Sequence, residues 1–158
     1  MNKEVIFLIG PPNAGKTTWR KKYAPYFKVI SRDDIVLELS NGKDYNTAFK
    51  TVNQNSVNEL LKSRSKTIFN NENKVVIDMT NMSRKSRKNW MNVIPDDFKK
   101  IAVYFEIDRK TLDERNKERN EKEGKNIPYN VMNDMLRNYE RPTKTEGFEE
   151  IIRSGINS

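Results

Sequence analysis

Residues Gly10-Pro11-Pro12-Asn13-Ala14-Gly15-Lys16-Thr17 carry the spacing G-x-x-x-x-G-K-T. Glycines at that separation let the backbone curl so that successive N–H groups face inward, and such a ring of donors binds phosphate oxygens. Lys16 is long enough to reach the β- and γ-phosphates of a nucleoside triphosphate. The Thr17 hydroxyl can ligate Mg²⁺, a cation that keeps several waters and needs few protein ligands. The apolar run Glu4–Ile9 before the loop reads as a buried strand. The residues from Gly15 to about Ala24 read as a helix, whose positive end strengthens an anion site. The expected ligands are ATP, or another nucleoside triphosphate, together with Mg²⁺.

The chain has no histidine and no cysteine. Acid–base work therefore falls to Asp, Glu, Lys or Tyr, and a disulfide framework or a cysteine zinc site is excluded. Ser31-Arg32-Asp33-Asp34 follows a short second strand, Lys28–Ile30. A carboxylate there can take a proton from an acceptor hydroxyl as phosphate moves; equally, Ser31 or Asp33 can be a plain helix cap. Asp78 ends a third apolar strand, Lys74–Ile77, where a carboxylate beside a phosphate loop faces metal or substrate. Thr80 and Asn81 follow it. Arg84 and Arg87 lie on the next helix, either as a clamp for an acceptor phosphate or as part of a solvated basic face. In the charged helix from Arg109 to about Arg119, an arginine can neutralise the transferring group; the alternative is an exposed run of ion pairs.

These residues need a scaffold that brings strand ends together. Further helices are expected at Asp33–Ser40, from Tyr45 to Asn70, from Ser83 towards Trp90, and from Pro128 to about Glu140. Val57, Leu60, Leu61, Ile68 and Phe69 share one face of the long helix. A fourth strand is expected at Ile101–Ile107 and a fifth, at the edge, near Glu149–Arg153; Asn120–Asn126 reads as a loop around Gly124. Strands alternating with helices imply right-handed crossovers and a mostly parallel α/β sheet of four or five strands, with helices on both faces. Ligands then gather beyond the carboxyl ends of the strands.

The 158 residues suit a single domain, residues 1–158. A formal charge of +8 favours polyanionic partners, although surface lysines also serve solubility. The early apolar run is too short to span a bilayer and no leader pattern is visible, so the expectation is a cytoplasmic protein with no membrane partner.

Taken together, the loop Gly10–Thr17 with Thr18-Trp19, the turn Ser31–Asp34, Val75–Asn81, Arg87, Trp90, the Arg115–Arg119 segment and Ile127-Pro128 resemble the 5′-kinase domain of polynucleotide kinases. The likeness is to the form found in phage and bacterial end-healing enzymes, and it runs nearly end to end. Pro142 and Glu146-Gly147-Phe148 resemble the wider group of small P-loop kinases. The resemblance implies a P-loop kinase fold with a lid near residues 115–127, and transfer of the ATP γ-phosphoryl group to 5′-hydroxyl ends of DNA or RNA. It implies Asp33 as general base, Lys16 and Arg119 as stabilisers of the transferring group, and Thr17 on Mg²⁺. Residues 10–18 and Arg115 would hold the nucleotide. Arg32, Asp34, Asp78, Thr80, Asn81 and Arg87 would shape the acceptor site, with Arg87 near the acceptor's 3′-phosphate. The chain departs from a phage relative at Val36, where that enzyme has arginine, and at Met79, where it has aspartate. With no phosphatase segment visible, a kinase-only protein is expected. The alternative is a small P-loop kinase for a nucleoside, sugar or sugar nucleotide.

Overall fold

Val5, Phe7 and Ile9 pack on one side of the first strand and Ile6 and Leu8 on the other, and all are buried. A strand apolar on both faces must be covered from both sides, as in a parallel sheet with crossover helices. The computed structural model describes residues 2–40, 52–124 and 126–154. Its strands are β1 (Lys3–Ile9), β2 (Lys28–Ile30), β3 (Lys74–Asp78), β4 (Phe98–Phe105) and β5 (Glu150–Ser154). They form one sheet in the order β2-β3-β1-β4-β5, every neighbouring pair parallel. β1 lies at the centre, so the loop that follows it opens at the middle of the sheet's carboxyl edge.

The helices are α1 (Lys16–Tyr23), α2 (Arg32–Leu39), α3 (Gln54–Asn71), α4 (Arg84–Met91), α5 (Arg109–Glu123) and α6 (Tyr129–Arg137). Phe69 of α3, Trp90 and Met91 of α4, and Phe148 cover one face of the sheet. Trp19 of α1, Leu112 of α5, and Met132 and Leu136 of α6 cover the other. Ile35 and Val36 of α2 pack on Val57 and Leu60 of α3 in a smaller cluster at the β2 side. Val36 is therefore a core residue.

Three boundaries differ by three residues or more from those read in the sequence. α5 runs on to Glu123 and stops where Gly124 adopts φ 68, the left-handed conformation that ends helices; the polar stretch from Asn120 is its last turn rather than a loop. β4 begins at Phe98 rather than Ile101. Lys99 there pairs with Glu150 on the neighbouring strand at 3.0 Å, so polar residues at a strand's entry had hidden it. α6 ends at Arg137, short of Glu140, whose backbone N–H instead donates to Met82 O at 2.8 Å. The part of the expected long helix between Tyr45 and residue 51 lies outside the described residues; α3 starts after Asn53, whose side chain accepts from the N–H groups of Asn55 and Ser56.

Candidate active site at the phosphate loop

The loop leaves β1 at Gly10. A Cβ there would lie 3.1 Å from the Cβ of Phe105 on β4, a crowded contact that glycine avoids. Gly15 sits at φ 97 just before α1, a left-handed conformation that glycine adopts without strain. Between them Asn13 also has a positive φ, 71. Pro11 and Ala14 are buried, Pro12 is half-buried, and Thr17 and Thr18 are exposed on the first turn of α1.

Lys16 folds back along the loop. Its ammonium donates to Gly10 O at 2.8 Å and to Met79 O at 3.4 Å. Burial lowers its pKa from the ordinary 10.5 to about 8; Asp78 and then Asp33 oppose this, while Arg119 adds to it. The ammonium is thus a desolvated cation within electrostatic reach of two carboxylates, at the place where phosphate charge would arrive.

Asp78, at the carboxyl end of β3, faces the start of α1. Its Oδ2 accepts from Arg20 Nε at 3.1 Å and from the Thr17 hydroxyl at 3.4 Å. A hydroxyl and a carboxylate side by side form a hard-oxygen pair that fits Mg²⁺, with water and phosphate oxygens completing its shell. From the other side α5 lies over the loop. Arg115 Nη1 donates to Asn13 O at 2.9 Å and Arg119 Nη1 to Asn13 Oδ1 at 2.6 Å. Asn13 Nδ2 is buried without an acceptor. An anionic group in the loop would supply one, so the cradle fits a nucleotide phosphate.

Ser31 caps α2, its hydroxyl accepting from the Asp34 N–H at 3.4 Å. Asp33 and Asp34 are exposed in the first turn of that helix. Asp33 lies close enough to Lys16 to act on its charge. Arg32 turns away to α3, donating to Asn58 Oδ1 at 2.5 Å and Gln54 Oε1 at 2.7 Å. Thr80 borders a cleft of about 350 Å³ shared with Met82, Ser83, Ser86, Val131 and Met135. A larger cleft, about 460 Å³ and lined by Lys3, Asp97 and Lys99, lies at the opposite end of the strands, remote from the loop.

Besides Arg32, two further expected acceptor residues are placed otherwise. Arg87 is 0 % exposed, and its guanidinium is occupied by Glu146, Asn81 O and Arg141 O. A group so enclosed does not reach an acceptor phosphate. Asn81 is also buried, with φ 48, and donates from Nδ2 to Leu8 O at 2.9 Å. Both are framework for the segment behind the loop. Sequence reading missed Arg20, although it lies one helical turn beyond Thr17 on the same face of α1. It singled out Glu146 only as part of the tail Glu146-Gly147-Phe148 and missed its pairing with Arg87, 59 positions away.

Among known proteins, the family model described as an AAA domain matches residues 5–142. A curated relative, the transcription factor bHLH140 of Arabidopsis thaliana, is 29% identical over 157 residues; the match takes in 94% of this chain but only 15% of that protein. Among solved structures, a chain of the Pnkp1/Rnl/Hen1 RNA repair complex superposes with a TM-score of 0.72 at 19% identity, over 87% of this chain and 44% of that one. A gluconokinase from Sinorhizobium meliloti does so with a TM-score of 0.59 at 14% identity, over 98% and 83%. The fold is that of the P-loop kinases, a nucleotide-binding architecture. Among the described residues, no helix is long and apolar enough to cross a membrane.

Proposed function

This chain belongs to the AAA domain family, and from that premise we propose that it is a polynucleotide 5′-hydroxyl kinase using ATP and Mg²⁺. The observation that supports this best is the meeting of three groups at one sheet edge: the inward-turned Lys16, Asp33 acting on its charge, and Arg119 reaching the loop through Asn13. A cation-lined phosphate site with a carboxylate beside it suits in-line phosphoryl transfer, where catalysis is mostly positioning and charge neutralisation.

In this reading Asp33 accepts the proton of the 5′-hydroxyl as that oxygen bonds to the γ-phosphorus. The bond from the γ-phosphorus to the β–γ bridging oxygen breaks, and ADP leaves with the electron pair. Lys16 and Arg119 neutralise the equatorial oxygens of the transferring group. Residues 10–18 and Arg115 hold the nucleotide, and Thr17, with Asp78 beside it, would hold Mg²⁺, which offsets charge on the β- and γ-oxygens when bound. Asp34 and Thr80 border the acceptor side. The charge of +8 suits a polyanionic acceptor, and the likeness to a chain of an RNA repair complex points the same way.

One observation favours a second reading, a kinase for a nucleoside, sugar or sugar nucleotide. The acceptor-phosphate contact assigned to Arg87 is not available, and the gluconokinase shares the fold. The test is incubation with γ-labelled ATP, Mg²⁺ and 5′-hydroxyl DNA or RNA oligonucleotides, beside Asp33→Ala. Label on the oligonucleotide that falls by about a hundredfold or more in the variant is the expected result. ATP binding without labelled oligonucleotide would discard the polynucleotide reading and send the search to metabolite acceptors.

A further inference from the structure

The most enclosed charged group among the described residues is Arg87, and it lies outside the chemistry assigned so far. Its guanidinium joins three stretches of chain. Nε donates to Glu146 Oε1 at 2.7 Å and Nη2 to Glu146 Oε2 at 3.2 Å, a two-pronged pair with the turn Lys144–Glu146. Nη2 also meets Arg141 O at 3.4 Å, and Nη1 donates to Asn81 O at 2.9 Å. Glu146 is itself fixed, because its Oε2 accepts from the Thr143 N–H at 2.8 Å and the Thr143 hydroxyl at 3.2 Å. Burial pushes the Glu146 carboxyl up, but the bonds from Arg87 and Thr143 outweigh it and hold the pKa below the ordinary value.

What Arg87 holds is the far wall of the phosphate loop. Asn81, the acceptor of its Nη1 bond, is in the left-handed region, and its side chain reaches across to Leu8 O on β1. One residue earlier, Thr80 O accepts from the Gly10 N–H at 2.9 Å. One residue before that, Met79 O accepts from the Lys16 ammonium, whose other acceptor is Gly10 O. A continuous set of hydrogen bonds therefore runs from the turn at Glu146, through Arg87 and residues 79–81, to the first glycine of the loop and its lysine. Residue 81 is in the left-handed region, which asparagine tolerates better than most L residues, and the bonds from Arg87 and to Leu8 O fix it there.

We propose that Arg87, fixed by Glu146, is a positioning residue for nucleotide binding: it locks residues 79–81 behind the phosphate loop and so sets the place of Gly10 and Lys16. This deepens the phosphoryl-transfer reading, but its consequence for ATP affinity needs no acceptor at all. A group on an acceptor phosphate would act on acceptor KM alone. A positioning group acts on ATP binding, and equally for every acceptor.

The test uses the full chain with Arg87→Lys, Glu146→Gln and the double variant. Arg87→Lys keeps the charge but loses the fork geometry; Glu146→Gln keeps the size and lies away from the nucleotide. ATP Kd is measured by calorimetry without acceptor, on protein whose folding is checked by circular dichroism. Each single variant is expected to weaken ATP by about tenfold, and the double by no more than the worse single, because both cut one linkage. Glu146→Gln alone suffices if Arg87→Lys does not fold. Turnover is then compared on oligonucleotides with and without a 3′-phosphate, and an equal loss on both is expected. ATP Kd within about twofold of wild type in the folded variants would overturn the proposal. So would a defect confined to the 3′-phosphorylated acceptor. Failure to label any oligonucleotide while ATP affinity falls as stated would count against the polynucleotide reading and leave this one standing.

Discussion

Replacing Lys16 with methionine is expected to make the protein more stable while destroying nucleotide binding. Burial holds the Lys16 pKa at about 8 rather than 10.5. That gap corresponds to about 3 kcal/mol spent at neutral pH on keeping the ammonium charged inside the fold. Between pH 8 and 10.5 the unfolded chain binds the proton and the folded one releases it, so wild-type stability rises with pH across that window. Below pH 8 both states are protonated and the penalty is paid in full. Methionine removes the charge but also the bonds to Gly10 O and Met79 O, at about 1 kcal/mol each. The net gain is therefore about 1–2 kcal/mol at pH 7. It should shrink through zero and reverse as the pH passes 8 and approaches 10. The assay is urea unfolding of both proteins at several pH values between 6.5 and 9.5. A Lys16→Met protein less stable than wild type at pH 7, or a difference that does not change with pH, would refute the reasoning. The same lysine should take up a proton when ATP binds above pH 8, since phosphate restores its charge; calorimetry in buffers of different ionisation enthalpy reads this directly.

Arg119→Ala is expected to lower kcat by about a hundredfold or more with a much smaller change in ATP Kd, because its charge is needed chiefly as the phosphoryl group transfers. Single-turnover kinetics check this, and a loss confined to ATP affinity would contradict the role. Asp78→Asn keeps the size of the side chain but removes the charge shared by Thr17 and Arg20. It should raise the Mg²⁺ concentration for half-maximal turnover by about tenfold, and an unchanged Mg²⁺ titration would remove Asp78 from the metal side of the site.

The features legible in the sequence were local ones. The strand read at Glu4–Ile9, the glycine loop and the helix read from Gly15 follow from a short apolar run, two glycines and a helix start within about twenty positions, and the structure has all three, each within a residue of its expected start. The face of α3 formed by Val57, Leu60, Leu61, Ile68 and Phe69 is likewise turned to the core. Helix ends were less legible where charge replaced apolar periodicity, as in the last turn of α5, because solvent-facing polar residues look alike in a helix and in a loop. Charged residues with distant partners were least legible. Arg87 and Arg119 are both arginines on charged helices, and for each the sequence left a contact with phosphate open beside an exposed charged face. The structure separates them by what they meet: Arg119 touches an amide on the phosphate loop, Arg87 a carboxylate in a turn 59 positions away. A buried arginine facing a carboxylate holds the fold, since removing either partner leaves an uncompensated charge. The Nη1 bond of Arg119, by contrast, goes to a neutral amide of the phosphate loop, beside the place where phosphate charge would arrive. The phosphate loop and the helix over it are thus arranged as in a P-loop kinase fold, while Arg87 and Val36 lie in the protein's own core. On the proposed reading acceptor choice therefore rests on groups other than Arg87, and the cleft beside Thr80 is the place to test by substitution.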